Sequence, residues 1–277
     1  MSPMMQTTLN KTVSYEGIGL HAGLPVHMTL RAAEANTGIH FIRTDLPDSP
    51  AIPANLSYVT NTMRATTLEK GEAKVFTVEH LLSALQGLHI DNCIVEMDSV
   101  EPPVADGSSA DFVTMIRKAG IRELNAKREV YRVKKQHLVQ EEDKFIAILP
   151  YDGFRITFTS INPHPLLGVQ FIDTEITEQS YIDEISFART IAFTEELEMM
   201  KKLGLGKGGT IENVVVYDND ACLSVPRTSD ELVRHKVLDI IGDLSLIGRQ
   251  LQGHVIAVKS SHKLNNLLAR QIYKEMN

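Results

Sequence analysis

The sequence predicts an α+β fold made of two halves with a similar order of elements. Short strand-like runs bounded by glycine, proline or asparagine recur in both halves, which is typical of β-structure. Each half also carries segments with apolar residues at helical spacing. A polar segment, residues 121–129, lies between the halves and is predicted to be a linker. We therefore expect an N-terminal domain over residues 1–125 and a C-terminal domain over residues 126–277.

The first half is predicted to run from strands into two amphipathic helices. The longer helix follows from apolar residues spaced i, i+3, i+4 and i+7 from Val78 onward. Thr77 is its predicted N-cap and Gly87 its end signal. The predicted elements, in order, are strands Thr12–Tyr15, Val26–Leu30 and Ile39–Ile42, helix Thr77–Leu88, strand Asn92–Met97, loop Glu101–Ser109 and helix Ala110–Ala119.

The second half is predicted to repeat this order after a longer insertion. Its main helix is apolar almost all round, which is typical of a buried helix. Thr228 and Glu231 have the spacing of a capping box at its start. The predicted elements are strands Tyr131–Val133, Phe145–Leu149 and Arg155–Thr159, helix Asp230–Leu251, strand His254–Val258 and a final helix.

The composition excludes several classes of protein. The chain has 277 residues, 43% hydrophobic and 23% charged, which is typical of a globular protein with a proper core. Its net charge of −7 and the lack of a concentrated basic face argue against nucleic-acid binding. The two cysteines are far apart, which argues against a disulfide framework and a thiolate metal site.

Targeting signals are not evident either. No stretch has the apolar core of a signal peptide or the ~20 apolar residues needed for a transmembrane segment. The expectation is a cytoplasmic protein, and a monomer.

Two segments carry residue types suited to a metal site. Glu79 and His80 would emerge together in the first turn of their predicted helix, where one could be a metal ligand and its neighbour a base. The alternative is a solvated turn whose acidic residue favours the helix dipole. In the second segment His235, Asp239 and Asp243 follow the spacing i, i+4 and i+8, so they share one stripe of a buried helix. A metal would compensate that stripe, and so would ion pairs with Lys236 or Arg234 or a solvent channel.

Three further features are weaker on their own. His262 follows a predicted strand, where a histidine is commonly a surface residue. His21 follows two glycines that mostly indicate a turn. The glycine-rich segment 203–210 fits neither the P-loop nor the dinucleotide spacing, and it is interpreted as a loop that approaches another segment closely.

At these residues the chain resembles the UDP-3-O-acyl-N-acetylglucosamine deacetylase family, zinc enzymes of lipid A biosynthesis. The resemblance extends over essentially the whole length. The matching stretches are Glu16–His21, Thr77–Leu81, Asp106–Ser108, Ala188–Thr190, Gly204–Gly209, Arg234–Leu244, and His262 with Asn265. Each stretch alone is weak or moderate, but seven in order make coincidence an unsatisfactory explanation.

The resemblance implies a fold and a set of roles. The fold is two α+β domains, each a sheet with helices, packed so that the helices lie between the sheets. His80, His235 and Asp239 would bind zinc, although ferrous iron fits the same nitrogen and oxygen ligands. Glu79 would be the general base and His262, with Asp243 as its partner, the cationic acid. Lys236 and Thr190 would hold the substrate and the developing oxyanion.

The implied substrate is a UDP-sugar bearing a 3-hydroxyacyl chain. The resemblance places an apolar passage for this chain in an insertion at about residues 161–193. The apolar residues of that segment are Leu166, Leu167, Phe171, Ile176, Tyr181, Ile182 and Ile185. Substrate contacts are expected from His21, near the sugar and acyl chain, from Lys207, near the nucleotide, and from Met63 and Ile191.

Two positions depart from the family pattern, and two other functions stay open. Ile191 stands where many relatives have an aromatic residue, and Arg64 where they often have an apolar one. A zinc deacetylase of the same fold acting on another N-acyl sugar would fit the same motifs. A non-catalytic ligand-binding relative is the other alternative, and the intact set of Glu79, His80 and His262 argues against it.

Overall fold

The structure is a computed structural model and describes residues 4–276. The strands of the first half are β1 (Met5–Leu9), β2 (Val13–Ile18), β3 (Pro25–Ala32), β4 (Ile39–Arg43), β5 (Ala51–Pro53), β6 (Val59–Asn61), β7 (Thr67–Lys70), β8 (Ala73–Phe76), β9 (Cys93–Met97) and β10 (Ile121–Lys127). Those of the second half are β11 (Val130–Arg132), β12 (His137–Glu141), β13 (Lys144–Leu149), β14 (Phe154–Ile161), β15 (Val169–Glu175), β16 (Ile191–Phe193), β17 (Val215–Tyr217) and β18 (Gln250–Val258).

The helices fall into the same two halves. They are α1 (Glu79–Gly87), α2 (Ala110–Ala119), α3 (Glu178–Ser180), α4 (Thr194–Lys202), α5 (Glu231–Ser245) and α6 (His262–Met276). A 3₁₀ turn at Leu56–Tyr58 and a π-helical turn at Tyr181–Ile185 complete the regular structure. Within the described residues no helix is long and apolar enough to cross a membrane.

The two large sheets have the same topology. The first has the strand order β2-β3-β9-β4-β5 and the second the order β12-β13-β18-β14-β15, with β11 added beside β18. In each sheet one inner pair is parallel, β4 with β9 and β14 with β18, while the other pairs along the path are antiparallel. The predicted repetition of element order is therefore visible in topology, and it makes α1 and α5 equivalent helices.

The helices lie between the two sheets, as the resemblance implied. Helix α5 packs against α1 on one side and against β14 and β15 on the other. Helix α2 contacts α1 and β2. One continuous cluster of buried apolar side chains includes residues of both halves, such as Leu81, Leu85, Val237 and Ile241. Burying each such side chain contributes roughly 1.5–3 kcal/mol, so the same core that stabilises the fold holds α1 against α5.

The predicted linker is wrong as a description of residues 121–127. These residues form β10, which pairs antiparallel with β1 near the start of the chain. Only Leu124 of this strand is buried, so the periodicity of apolar residues was too weak to predict it. Because β10 spans residue 125, the division into domains at that point stays a proposal.

The predicted end of the main helix is also wrong. Helix α5 stops at Ser245, and Gly248 follows with a φ of 78°, a conformation that favours glycine. Leu251, the predicted last residue of the helix, belongs to β18 instead. The alternating burial of Gln250–Val258 shows a period of two, so the strand begins four residues before the predicted His254.

Both predicted N-terminal caps are replaced by longer-range contacts. Thr77 lies outside α1 with a φ of 58°, and its hydroxyl donates a 2.7 Å hydrogen bond to Glu101. The Glu231 carboxylate accepts hydrogen bonds from the backbone N–H groups of Arg189 and Arg227, at 3.0 and 2.7 Å. Neither helix therefore uses its expected capping side chain.

Candidate metal centre and active site

The candidate site lies where α1 crosses α5 in the middle of the molecule. Gly242 of α5 allows this close approach, because a Cβ atom at that position would lie 2.1 Å from the backbone oxygen of Glu79. The first turn of α1 carries Glu79 and His80, and the middle of α5 carries His235 and Asp239. All four side chains are buried.

Three of these side chains form a group that could hold a metal ion. His80, His235 and Asp239 each offer one ligand atom, and the three atoms lie within 4.8 Å of one another. The Oδ1 atom of Asp239 is 3.9 Å from Nε2 of His80 and 3.4 Å from Nε2 of His235. The two imidazole planes are nearly perpendicular, at 88°. Two equivalent helices thus contribute to one group.

The hydrogen bonds around this group fit a cation. Oδ1 of Asp239 is buried and has no hydrogen-bond partner among the described residues, which is costly unless something else binds it. Nδ1 of His235 lies 3.1 Å from the carbonyl oxygen of Ala188. A carbonyl only accepts, so Nδ1 carries the proton and the lone pair of Nε2 faces the group.

The protonation states of these three side chains favour metal binding as well. Burial lowers the pKa of His80 to about 3, and it also lowers the pKa of His235. Burial acts to raise the pKa of Asp239, but His235, Lys236 and neighbouring imidazoles outweigh it and lower that pKa. Two neutral imidazoles and one carboxylate are the ligand set of many catalytic zinc sites, with a fourth position left open.

Glu79 precedes His80 on α1 and is not one of the three side chains that could hold a metal ion. Its Oε2 accepts a 3.0 Å hydrogen bond from the backbone N–H of Thr66, and its Oε1 is 3.8 Å from Nε2 of His262. Burial raises the pKa of Glu79 to about 8. A carboxyl group with a pKa near neutrality can exchange a proton with a reacting group.

His262 forms an imidazole–carboxylate pair with Asp243. Its Nδ1 is 2.8 Å from Oδ2 of Asp243, which also accepts a 2.8 Å hydrogen bond from Asn265. The hydroxyl of Thr66 donates to the other oxygen of Asp243 at 2.6 Å. Burial acts to lower the pKa of His262, but the charges of Asp243, Asp239 and Glu79 outweigh it and raise this pKa to about 10. The imidazole is therefore a cation that faces Glu79.

Lys236 supplies a second cation, which contacts Asp239. Its Nζ donates a 2.8 Å hydrogen bond to Oδ2 of Asp239. Burial acts to lower its pKa, but Asp239 outweighs burial and raises it, so the amine stays charged.

A cavity of about 520 Å³ opens directly onto these groups. Its polar end is formed by Glu79, His80, His235, Lys236, Asp239 and His262. Its apolar wall is formed by Leu197, Met200, Ile211, Val214, Val216 and Leu223. A second cavity of about 300 Å³ also reaches Lys236 and includes Lys144 and Lys259. A cavity of about 550 Å³ around Leu82, Gln86 and Arg249 contains none of the candidate site residues.

The predicted substrate residues are distributed unevenly. Thr190, Ile191 and His21 line the larger site cavity, and His21 is buried. Met63 is 61% exposed and Lys207 is exposed, and neither lines either cavity at the metal group.

The apolar residues predicted to form an acyl-chain passage lie outside the site cavity. None of the seven apolar residues singled out between positions 161 and 193 lines the site cavity. Tyr181 and Ile185 are in the main core, whereas Leu166 and Phe171 are more than half exposed. The apolar wall comes from residues further on, between Ile191 and Leu223, because α4 and the glycine-rich loop fold back over the site.

Two residues that organise the site were not predicted. Thr66 binds Glu79 through its backbone and Asp243 through its hydroxyl. Glu101 is fully buried and accepts hydrogen bonds from the backbone N–H groups of His21 and Ala22 and from the hydroxyl of Thr77. Neither lies in a segment with a chemical motif, and only Glu101, a charged residue inside a turn-rich loop, offered a weak signal.

The chain is similar in sequence to proteins of one enzyme family. The family model described as UDP-3-O-acyl N-acetylglycosamine deacetylase matches residues 6–274. Three relatives named UDP-3-O-acyl-N-acetylglucosamine deacetylase come from Myxococcus xanthus, Citrifermentans bemidjiense and Hahella chejuensis. Their identities are 43% over 272 residues, 44% over 273 and 42% over 274. The alignments cover 98% of this chain in each case, and 87%, 90% and 91% of the relatives. The chain is an enzyme and belongs to the UDP-3-O-acyl N-acetylglycosamine deacetylase family.

Proposed function

We propose that this enzyme hydrolyses the N-acetyl group of UDP-3-O-(3-hydroxyacyl)-N-acetylglucosamine with the help of zinc. The products are UDP-3-O-acyl-glucosamine and acetate, and the reaction is the committed step of lipid A biosynthesis in the cytoplasm. The observation that carries the proposal is the buried, unpartnered Oδ1 of Asp239 between His80 and His235, beside the Glu79–His262 pair. The names of the relatives support the substrate.

His80, His235 and Asp239 are the residues that would hold the metal. A zinc ion held there would polarise the amide carbonyl and lower the pKa of a water molecule. Ferrous iron suits the same ligands, and availability decides between them. The chain supplies the shape of the site, since the hydrogen bonds that His235 donates to Ala188 and that Lys236 donates to Asp239 orient two of the three ligands.

Glu79 and His262 divide the proton transfers between them. Glu79 as a carboxylate takes a proton from the attacking water while the new C–O bond forms. His262, held as a cation by Asp243, gives a proton to the nitrogen while the C–N bond breaks. The amine then leaves neutral. Lys236 and Thr190, both lining the cavity, would stabilise negative charge on the carbonyl oxygen.

The two cavities suit the two ends of the substrate. The apolar wall of the larger cavity fits an acyl chain, and His21 and Ile191 line the same cavity, where they could contact the chain and the sugar. Besides Lys236, the smaller cavity contains Lys144 and Lys259, whose ammonium groups fit a diphosphate. Lys259 is also paired with Asp143, so its ammonium group would interact with both that carboxylate and the diphosphate. This placement favours the acylated nucleotide over a simple N-acetyl sugar, because only the former fills both cavities.

Acetate release from the acylated nucleotide sugar tests this function. Purified enzyme should release acetate, lose activity on chelation and regain it with added zinc. Glu79→Gln separates metal binding from proton transfer, since this variant should keep the metal and lose about 10²- to 10⁴-fold in kcat. The substrate without its 3-O-acyl chain should react far more slowly. No release by folded, metal-loaded protein would point instead to another N-acyl sugar or to a binding role.

A further inference from the structure

Arg64 and Glu196 form an ion pair in the lining of the site cavity. The guanidinium donates two parallel hydrogen bonds to the carboxylate, each 2.9 Å long. The side chains are 35% and 30% exposed, so the pair is only partly in contact with solvent. The two residues are 132 positions apart, so the pair joins the loop before β7 to helix α4. A bidentate arginine–carboxylate contact is geometrically specific.

The arginine side of the pair is attached to the catalytic groups. Arg64 has a φ of 67°, a conformation that a residue with a side chain adopts only when its surroundings require it. Two residues later, Thr66 binds Glu79 and Asp243. The guanidinium is therefore projected over the cavity from a loop that the active site itself holds in place.

The glutamate side of the pair belongs to a weakly packed helix. Helix α4 has no buried residue, although Leu197 and Met200 form part of the apolar wall. Within residues 4–276, the other side-chain ion pair of α4, between Lys201 and Glu198, lies inside the helix. The bond to Arg64 is thus the charged contact that ties this wall to the first half of the chain.

The pair also lies at the boundary of the two cavities. Arg64 and Glu196 line both the apolar cavity of about 520 Å³ and the lysine-lined cavity of about 300 Å³. The charges of the two side chains sum to zero, so neither cavity receives an unpaired charge from this pair. An acyl chain and a diphosphate that enter the two cavities would lie on opposite sides of it.

We infer that the Arg64–Glu196 pair is a clasp that determines affinity for the acyl chain. It holds α4 against the apolar cavity and keeps that cavity apart from the cationic one. This inference rests on the proposed function for the identity of the chain. Arg64 and Glu196 are positioning residues, so their loss acts on substrate binding more than on the chemical step.

Charge reversal tests the clasp. Arg64→Glu and Glu196→Arg each place like charges together, and each should raise KM for the acylated substrate about fivefold, the upper end for a partly exposed pair. We expect kcat to change less than twofold, and the increase in KM to shrink as the acyl chain is shortened. The double variant restores an opposite pair and should return KM to within about twofold of the wild type.

A matched control and a structural measurement accompany this series. Arg155 pairs with Asp173 on the second sheet with similar exposure, 37% and 29%, and lines neither cavity at the metal group. Arg155→Glu should leave KM unchanged. Hydrogen exchange without substrate should be faster in α4 for both single reversals and normal for the double variant.

The outcomes separate the clasp from the proposed function. Unchanged exchange of α4 and unchanged KM in both single variants would overturn the clasp. Equal losses in kcat for all substrates would overturn it too, because they indicate a general structural defect. The wild-type enzyme could show no turnover while charge reversal still speeds hydrogen exchange in α4. That result would contradict the proposed substrate and support the clasp.

Discussion

Lys236 donates a 2.8 Å hydrogen bond to Oδ2 of Asp239, and this bond leaves Oδ1 of the same carboxylate turned toward His80 and His235. One oxygen is thereby neutralised by an amine on the same helix, while the other stays buried without a hydrogen-bond partner among the described residues. The arrangement is costly for the metal-free protein and favourable for a cation. It is the feature from which the metal-dependence of the proposed reaction follows.

His235→Ala should lower the affinity for zinc by roughly 100-fold or more, because even residues that only orient a ligand contribute 10- to 100-fold. The zinc content after dialysis, measured by mass spectrometry, should fall well below one ion per chain. His27→Ala, which removes an exposed histidine from β3, is the control and should keep its zinc. Undiminished zinc in the His235 variant would remove that residue from the ligand set.

Asp243→Asn should shift the pH profile of kcat/KM to lower pH. Activity needs ionised Glu79 and protonated His262, so the profile is a bell that rises through the first pKa and falls through the second. Without a metal these pKa values are about 8 and about 10. A bound dication would lower both.

The direction of this pH shift follows from the negative charge that the substitution removes. Asp243 raises the pKa of both Glu79 and His262, so its neutralisation lowers both and moves both limbs in the acid direction. Asp98→Asn makes the same change of charge at an exposed position and should leave the profile where it is. An alkaline limb that stays in place in Asp243→Asn would contradict the role of His262 as the acid.

Gly242→Ala should destabilise the fold by about 1–3 kcal/mol, the usual range for overpacking. The added methyl would lie 2.1 Å from a backbone oxygen of α1, so the two helices must separate. Because His80 is on one helix and His235 and Asp239 on the other, zinc affinity should fall along with the unfolding free energy. Ser245→Ala, near the end of the same helix, should change stability by less than about 0.5 kcal/mol. Normal zinc binding in Gly242→Ala would show that the helix spacing does not limit the site.

Glu101→Gln should lower the free energy of unfolding by about 1–3 kcal/mol in urea denaturation. The buried carboxylate accepts from two backbone N–H groups and from Thr77, and an amide would place its own N–H₂ against those donors. Glu96→Gln removes a carboxylate that is paired with Arg31 at the surface, and it should change stability by less than about 1 kcal/mol. Equal stability of the Glu101 variant and the wild type would mean that this cluster does not hold the loop.

Several features of the fold and site could be predicted because they depend on neighbours in sequence. The apolar spacing around Leu81 and Leu85 predicted α1 to within two residues at its start and one at its end. The spacing of His235, Asp239 and Asp243 predicted that they share one stripe of a buried helix, and the structure places them so. The repeated order of strands and helices predicted two related halves, which the matching sheets confirm.

The errors occurred where a distant partner overrides a local signal. Thr77 was predicted to cap α1, but its hydroxyl donates a hydrogen bond to Glu101 instead. Glu231 was predicted to belong to a capping box, but its carboxylate accepts a hydrogen bond from Arg189 instead. The segment of β10 looks polar and irregular, but β1 completes its hydrogen bonds. In each case a contact between residues more than twenty positions apart decided the local structure.

By itself the sequence determined the α+β class, the main helices and the family to which the chain belongs, since periodicity and motif order are local properties. Tertiary structure alone decided that α1 and α5 meet closely enough for His80 to join His235 and Asp239. It also decided that the apolar wall comes from α4 and the loop after it, and that Arg64 reaches Glu196 across the cavity. These relationships join residues far apart in sequence through packing and charge, and no local pattern encodes such distances.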